Sequence, residues 1–149
     1  MAAHPKVGEV APDFELDGTD GRFRLSAHAG TPVVLLFYPA DGSLVCRRQF
    51  RSYRGCTAEL GALTVGISPQ DLDSHLRFRD ANALSVPLLA DVDGGVAAAY
   101  GVRGRGGWTR RATFVVDAEG VVRYRHDNPL SLTYDSIDAI RAALERLGH

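Results

Sequence analysis

Val33-Val34-Leu35-Leu36-Phe37-Tyr38-Pro39-Ala40-Asp41-Gly42-Ser43-Leu44-Val45-Cys46 decides the fold, because a strand, a turn and a helix start follow one another within it. The apolar, partly β-branched run from Pro32 to Phe37 reads as a buried strand. Pro39, Asp41 and Gly42 break it, and Ser43 is the N-cap of the helix that follows. Cys46 then falls in the first helical turn, where unpaired backbone N–H groups and the positive end of the helix dipole favour an anion. The reactive form of cysteine is the thiolate, so this position predicts a reactive thiol rather than an inert one.

Outward from that stretch, helix and strand alternate. Ala62 to Ile67 is apolar throughout, as expected of a second central strand, and the segment between the two strands has room for a helix, giving a parallel strand–helix–strand unit. Ser68-Pro69-Gln70-Asp71 opens the next helix, with Ser68 as cap, Pro69 at the first helical position and Leu72 and Leu76 carried behind them. Upstream, Phe14-Glu15-Leu16 and Phe23-Arg24-Leu25 alternate around a turn at Asp17 to Gly21 and predict a small edge hairpin. Thr113 to Val116 and Val121 to Tyr124 flank Asp117-Ala118-Glu119-Gly120, a second hairpin. A last helix from about Tyr134 to Leu147 sets Ile137, Ile140, Leu144 and Leu147 on one stripe and stops at Gly148. The order predicts an α/β fold, a central mixed sheet flanked by helices with an N-terminal β-hairpin, and a functional site beyond the C-terminal ends of the strands.

The chain has 149 residues, 45% of them hydrophobic, which suits one domain over 1–149 with one good core. Its net charge of −1 gives no electrostatic case for nucleic acid or a membrane surface, and no apolar run is long enough to span a bilayer. Lys6 is the only lysine among 17 basic residues; the rest are arginines. Met1 to Val7 does not read as a secretory signal, so a cytoplasmic setting is expected. Two cysteines, Cys46 and Cys56, make no disulfide framework. His28, His75 and His126 stand at no metal-ligand spacing to either, so no metal or organic cofactor is expected. Arg103-Gly104-Arg105-Gly106-Gly107-Trp108 is a single Gly/Arg stretch and reads as a loop rather than an RNA-binding segment.

Pro39, Ser43 and Cys46 match Pro-x-x-x-(Thr/Ser)-x-x-Cys, and with it the chain resembles the peroxiredoxins of the AhpC/TSA superfamily, most closely the bacterioferritin-comigratory-protein or peroxiredoxin Q branch. Ala11-Pro12-Asp13-Phe14, Gly66-Ile67-Ser68, Pro87-Leu88-Leu89-Ala90-Asp91, Ala99-Tyr100-Gly101-Val102 and Arg111-Ala112-Thr113-Phe114-Val115-Val116-Asp117 extend the resemblance in the family's order. It implies a thioredoxin-like fold and a thiol-dependent peroxidase acting on hydrogen peroxide and alkyl hydroperoxides. Cys46 would be the peroxidatic cysteine, Ser43 would offer the hydroxyl usually given by Thr, Pro39 would shield the thiolate, and Arg111 would reach in to pair with it. Gln49, one turn after Cys46, would position Arg111 or the loop. The resemblance also implies thioredoxin, glutaredoxin or a small thiol as reductant, and a monomer or weak dimer. The chemistry further requires a sulfur that a small oxidant can reach.

Several residues depart from that pattern. Leu44 and Arg47 stand where the family often has Pro and Thr, and Arg51 occupies the place, five residues after Cys46, where many relatives carry a resolving cysteine. Cys56 comes ten residues after Cys46, and on one helix that is a separation of roughly 15 Å, beyond the roughly 7 Å Cα limit for a disulfide. Two readings stay open: the helix unwinds and Cys56 resolves Cys46, or Cys56 is structural and an outside thiol does so. Arg47, Arg48, Arg51 and Arg54 give the same helix a cationic face, either solvated or attracting an anionic substrate or reductant. Two other functions fit the fold: a disulfide reductase, for which the Cys-x-x-Cys pair is missing, and a non-catalytic peroxide-sensing or binding member.

Overall fold

The computed structural model describes residues 4–41, 44–53, 61–104, 108–128 and 136–147. A two-stranded antiparallel hairpin, β1 (Glu15–Leu16) and β2 (Phe23–Arg24), precedes β3 (Val33–Phe37), α1 (Leu44–Ser52), β4 (Leu63–Ser68), α2 (Leu72–Asn82) and β5 (Leu88–Ala90). A short α3 (Gly95–Ala99), β6 (Ala112–Val116), β7 (Val122–Asp127) and α4 (Ile137–Glu145) complete it. The five-stranded sheet runs β5-β4-β3-β6-β7, parallel among the first three strands and antiparallel from β3 to β6 and β6 to β7. This is the mixed sheet, with helices and hairpin, of the thioredoxin-like fold.

β3 sits at the centre because all five of its side chains are buried and must be covered on both faces. Successive side chains of a strand point to opposite faces, so the one apolar run feeds two cores. Val33, Leu35 and Phe37 pack with Phe23, Tyr100 and Phe114 on the hairpin side. Val34, Leu36 and Tyr38 pack with Phe50, Tyr53, Phe78 and Ile140 beneath α1, α2 and α4. On that second face the rings of Tyr38 and Phe50 lie 4.7 Å apart and those of Phe50 and Phe78 6.0 Å apart, so α1 and α2 are both tied to the end of β3.

The second helix starts later than its sequence suggests. Ser68 is the last residue of β4, held in the ladder opposite Ala90, and Asp71 is the cap, its Oδ1 accepting from Ser74 N at 2.8 Å. The competition between Ser68 and Asp71 is decided by strand pairing, which local motif reading does not see. Ser136 caps α4 through Ala139 N at 3.1 Å, while the expected start at Tyr134 and the stop at Gly148 lie outside the described residues. Among the described residues no helix is long and apolar enough to cross a membrane.

Gly66 in β4 sets how closely α1 approaches the sheet: a Cβ there would lie 2.9 Å from Leu88 Cδ2 and 3.0 Å from Phe50 Cζ. A Gly66→Val chain is therefore expected to push Phe50, and α1 with it, away from the sheet. The overpacking should cost about 1–3 kcal/mol in urea denaturation.

Candidate functional site

β6 runs antiparallel to β3 with Ala112 opposite Phe37, so the residue before β6, Arg111, arrives where β3 ends and the chain turns toward α1. Cys46 is the third residue of α1, in its first turn, as the sequence predicts. Arg111 Nη2 donates to Cys46 Sγ at 2.9 Å across 65 positions of sequence. Arg111 Nη1 donates to Gln49 Oε1, and Gln49 Nε2 donates in turn to Tyr53 OH at 3.2 Å. Gln49 lies one helical turn after Cys46, so a single helix presents both the sulfur and the acceptor that aims the guanidinium at it. Arg111 and Gln49 are each 1% exposed and Cys46 is fully buried. A cation taken out of water is costly unless an anion and hydrogen bonds meet it, and here a sulfur and an amide oxygen do so. The arrangement aims a forked, permanently charged donor at the sulfur.

A second set of contacts holds the turn between β3 and α1. Asp41 Oδ1 accepts from Tyr38 OH at 2.7 Å, and Asp41 Oδ2 accepts from Ser74 Oγ at 2.7 Å and lies 2.7 Å from His75 Nδ1. The other nitrogen of His75, Nε2, is 2.9 Å from the carbonyl oxygen of Leu89 in β5. His75 is fully buried, and only 5% of the Asp41 side chain is exposed. Burial acts to raise the Asp41 pKa, but hydrogen bonds from His75, Tyr38 and Ser74 outweigh it and hold the carboxyl below its ordinary value. Burial first, then the Asp41 charge, drives the Tyr38 phenol well above its ordinary value, which keeps it protonated as a donor. The loop carrying Pro39 is thereby fastened to α2 and, through His75, to the backbone of β5.

The structure thus brings Cys46, Arg111 and Gln49 together and leaves Pro39 half-buried beside Tyr38. Ser43 and Cys56 lie outside the described residues. One expectation is corrected: the sulfur is not open to solvent but fully enclosed, because α1 and the end of β3 close over it within the Tyr38–Phe50 core. Tyr38, Asp41 and His75 were not singled out from sequence as parts of the site; the adjacent Ser74 and His75 in the first turns of α2 were the available signal. Among the described residues no group of three or more His, Cys, Asp or Glu side chains is placed to hold a metal ion.

Residues 7–125 match the AhpC/TSA family. The chain belongs to that family. It is 38% identical over 127 residues to the chloroplastic peroxiredoxin Q of Oryza sativa subsp. japonica, covering 81% of this chain and 58% of the relative. The chain therefore spans a little over half the length of the peroxiredoxin Q relatives it matches. Two solved structures of the same AhpC/TSA branch superpose on nearly all of it. Peroxidoxin BcpB from Mycobacterium tuberculosis has a TM-score of 0.83 at 33% identity, covering 98% of this chain and 100% of that one. The bacterioferritin comigratory protein of Xanthomonas campestris, described for its alkyl peroxide reduction activity, has a TM-score of 0.82 at 25% identity, covering 97% and 98%.

Because the folded-state pKa of Asp41 is depressed, its contribution to stability is present above the ordinary carboxylate range and is lost as pH falls through the lowered value. Asp41→Asn should cost about 2–4 kcal/mol at pH 7, since it removes the charged acceptor that Tyr38, Ser74 and His75 share. As pH falls from about 4 through the lowered Asp41 value, the difference from the parent should shrink, as read from urea denaturation at each pH.

Proposed function

We propose that this chain is a thiol-dependent peroxidase reducing hydrogen peroxide and alkyl hydroperoxides. The observation that carries the reading is the buried guanidinium of Arg111 on the sulfur of Cys46. The Cys46 thiolate attacks one peroxide oxygen, the O–O bond breaks, and the sulfur gives up two electrons. Cys46 leaves the step as a sulfenic acid, and the departing alkoxide or hydroxide takes a proton to become alcohol or water. Arg111 donates to the sulfur while its remaining N–H groups, with the free amides of the first turn of α1, face the charge that grows on the peroxide oxygens. Gln49 acts through Arg111 as its positioning residue, and Pro39, held by the Asp41 clamp, limits water at the sulfur.

Return to the thiol needs a second sulfur: a thiolate attacks the sulfenic sulfur, water leaves, and a disulfide forms. A further thiol then releases Cys46 and carries the disulfide away. We assign the final electrons to thioredoxin, glutaredoxin or a small thiol in the cytoplasm, with the chain acting as a monomer or weak dimer. Cys56 or the outside thiol takes the first of these steps. The activity described for the Xanthomonas campestris relative supports the reading, and the missing Cys-x-x-Cys pair speaks against a disulfide reductase.

Peroxide consumption should disappear in Cys46→Ser. In Arg111→Met, which keeps an unbranched chain but removes the donors, oxidation of Cys46 should slow about 100-fold in stopped flow. An Arg111→Met rate equal to the parent's would remove the basis of the mechanism. Intact-mass analysis after one equivalent of peroxide decides the resolving step. Loss of two hydrogens with both cysteines blocked places the disulfide at Cys56, and gain of one oxygen indicates the outside thiol. Cys56→Ser should leave the first oxidation rate unchanged on either route.

A further inference from the structure

α1 breaks two local rules at once. Its first turn holds no acidic residue, and Arg47 and Arg48 follow directly, although the N-terminal end of a helix favours anions and disfavours cations. Arg47 and Arg51 are four residues apart and Arg48 and Arg51 three, so like charges face each other along one side of the helix. Arg77 of α2 joins them. Arg47, Arg51 and Arg77 line a groove of about 500 Å³ between the two helices, and Arg47, Arg48 and Arg51 line a second of about 490 Å³ that adjoins it. All four guanidinium-bearing residues are exposed.

Elsewhere most of the described arginines are paired: Arg22, Arg24, Arg79, Arg110, Arg123, Arg125 and Arg141 each meet a carboxylate, and, Arg111 at the sulfur aside, only Arg103 and Arg146, which belong to no such cluster, do not. Arg47, Arg48, Arg51 and Arg77 make no ion pair with any described residue. Among the described residues lining their groove the one carboxylate, Asp41, is turned inward and taken up by Tyr38, Ser74 and His75. Four uncompensated cations in a chain of net charge −1 form a local field, and a departure from local helix rules of this kind is expected where a function uses it.

We infer that the groove between α1 and α2, lined by Arg47, Arg48, Arg51 and Arg77, is the docking surface for an acidic protein dithiol that returns electrons to Cys46. This rests on the thiol-dependent reading above. Position supports it: Arg47 follows Cys46 directly in α1 and lines the groove, so a partner seated there lies beside the helical turn that carries the sulfur. The lining also selects among anions. Apart from the guanidinium groups, the large apolar side chain present is Phe78, and it is only 5% exposed, so no apolar channel is offered to an acyl chain. The chain as a whole carries a net charge of −1, which is unlike the basic footprint of a nucleic-acid-binding domain. A surface of carboxylates, recognised by forked guanidinium donors and steered in by their field, fits what remains.

The test is a charge reversal away from the reacting groups, Arg48→Glu with Arg51→Glu and Arg77→Glu, and a milder chain with Gln at the same three positions. The probes are a bacterial thioredoxin of net negative charge and uncharged dithiothreitol. At about 20 mM ionic strength the Glu chain is expected to lose at least about tenfold in kcat/KM for thioredoxin, and the Gln chain a smaller factor. The loss should narrow by about 0.5 M salt, where the screening length falls below the width of the groove. Turnover with dithiothreitol and oxidation of Cys46 by hydrogen peroxide should not change. An unchanged thioredoxin kcat/KM, an equal loss with dithiothreitol, or a loss seen only in oxidation by a carboxylate-bearing hydroperoxide would each overturn the docking surface. Failure of hydrogen peroxide to oxidise Cys46 in the parent chain is a separate result: it would overturn the peroxidase reading itself.

Discussion

A guanidinium buried against a sulfur is the constraint that the rest of this structure serves. Arg111 and Cys46 are far apart in sequence and each almost without solvent, and a guanidinium buried there without partners would be costly. Everything that fixes their distance therefore matters to both. The β3–β6 register delivers the arginine, the seating of α1 on Gly66 delivers the sulfur, and Gln49 sets the angle between them. The site is assembled from the middle of the sheet outward.

Because the sulfur is enclosed, access and stability are opposed in the turn from Pro39 to Cys46. The Asp41 clamp is well supplied: three donors on one buried carboxylate, with a histidine reaching on to the backbone of β5. Such a network stabilises one conformation strongly while all its members are satisfied, and gives little support once one is lost. Among the described residues of the turn, Asp41 is where it is fastened to α2.

Much of this was legible in the sequence because it is local. The run from Val33 to Cys46 gives strand, turn and helix start by composition alone, and Cys46 falls where those signals place it. Arg111 was legible only through resemblance: among so many arginines, nothing local marks the one that a strand register will bring to the sulfur. Asp41 and His75 escaped for a related reason, since a carboxylate in a turn and a histidine on a helix face look solvated until tertiary packing buries them together. Ser68 misled because its capping pattern is genuine in isolation, and only the pairing of β4 with β5 shows that Asp71 takes the role. Enclosure of the sulfur depends on how aromatic rings from β3, α1 and α2 meet, which no spacing rule expresses.

The antiparallel pairing that puts Ala112 opposite Phe37 also makes the reaction a gauge of folding fidelity. Strand side chains alternate between faces, so a slip of one position between β3 and β6 would turn the arginine away from the sulfur while keeping nearly the same ladder of backbone bonds. A population misaligned in this way would have ordinary secondary structure and no chemistry. Turnover per molecule therefore reports on strand alignment at the heart of the sheet, a property that bulk measures of order would miss.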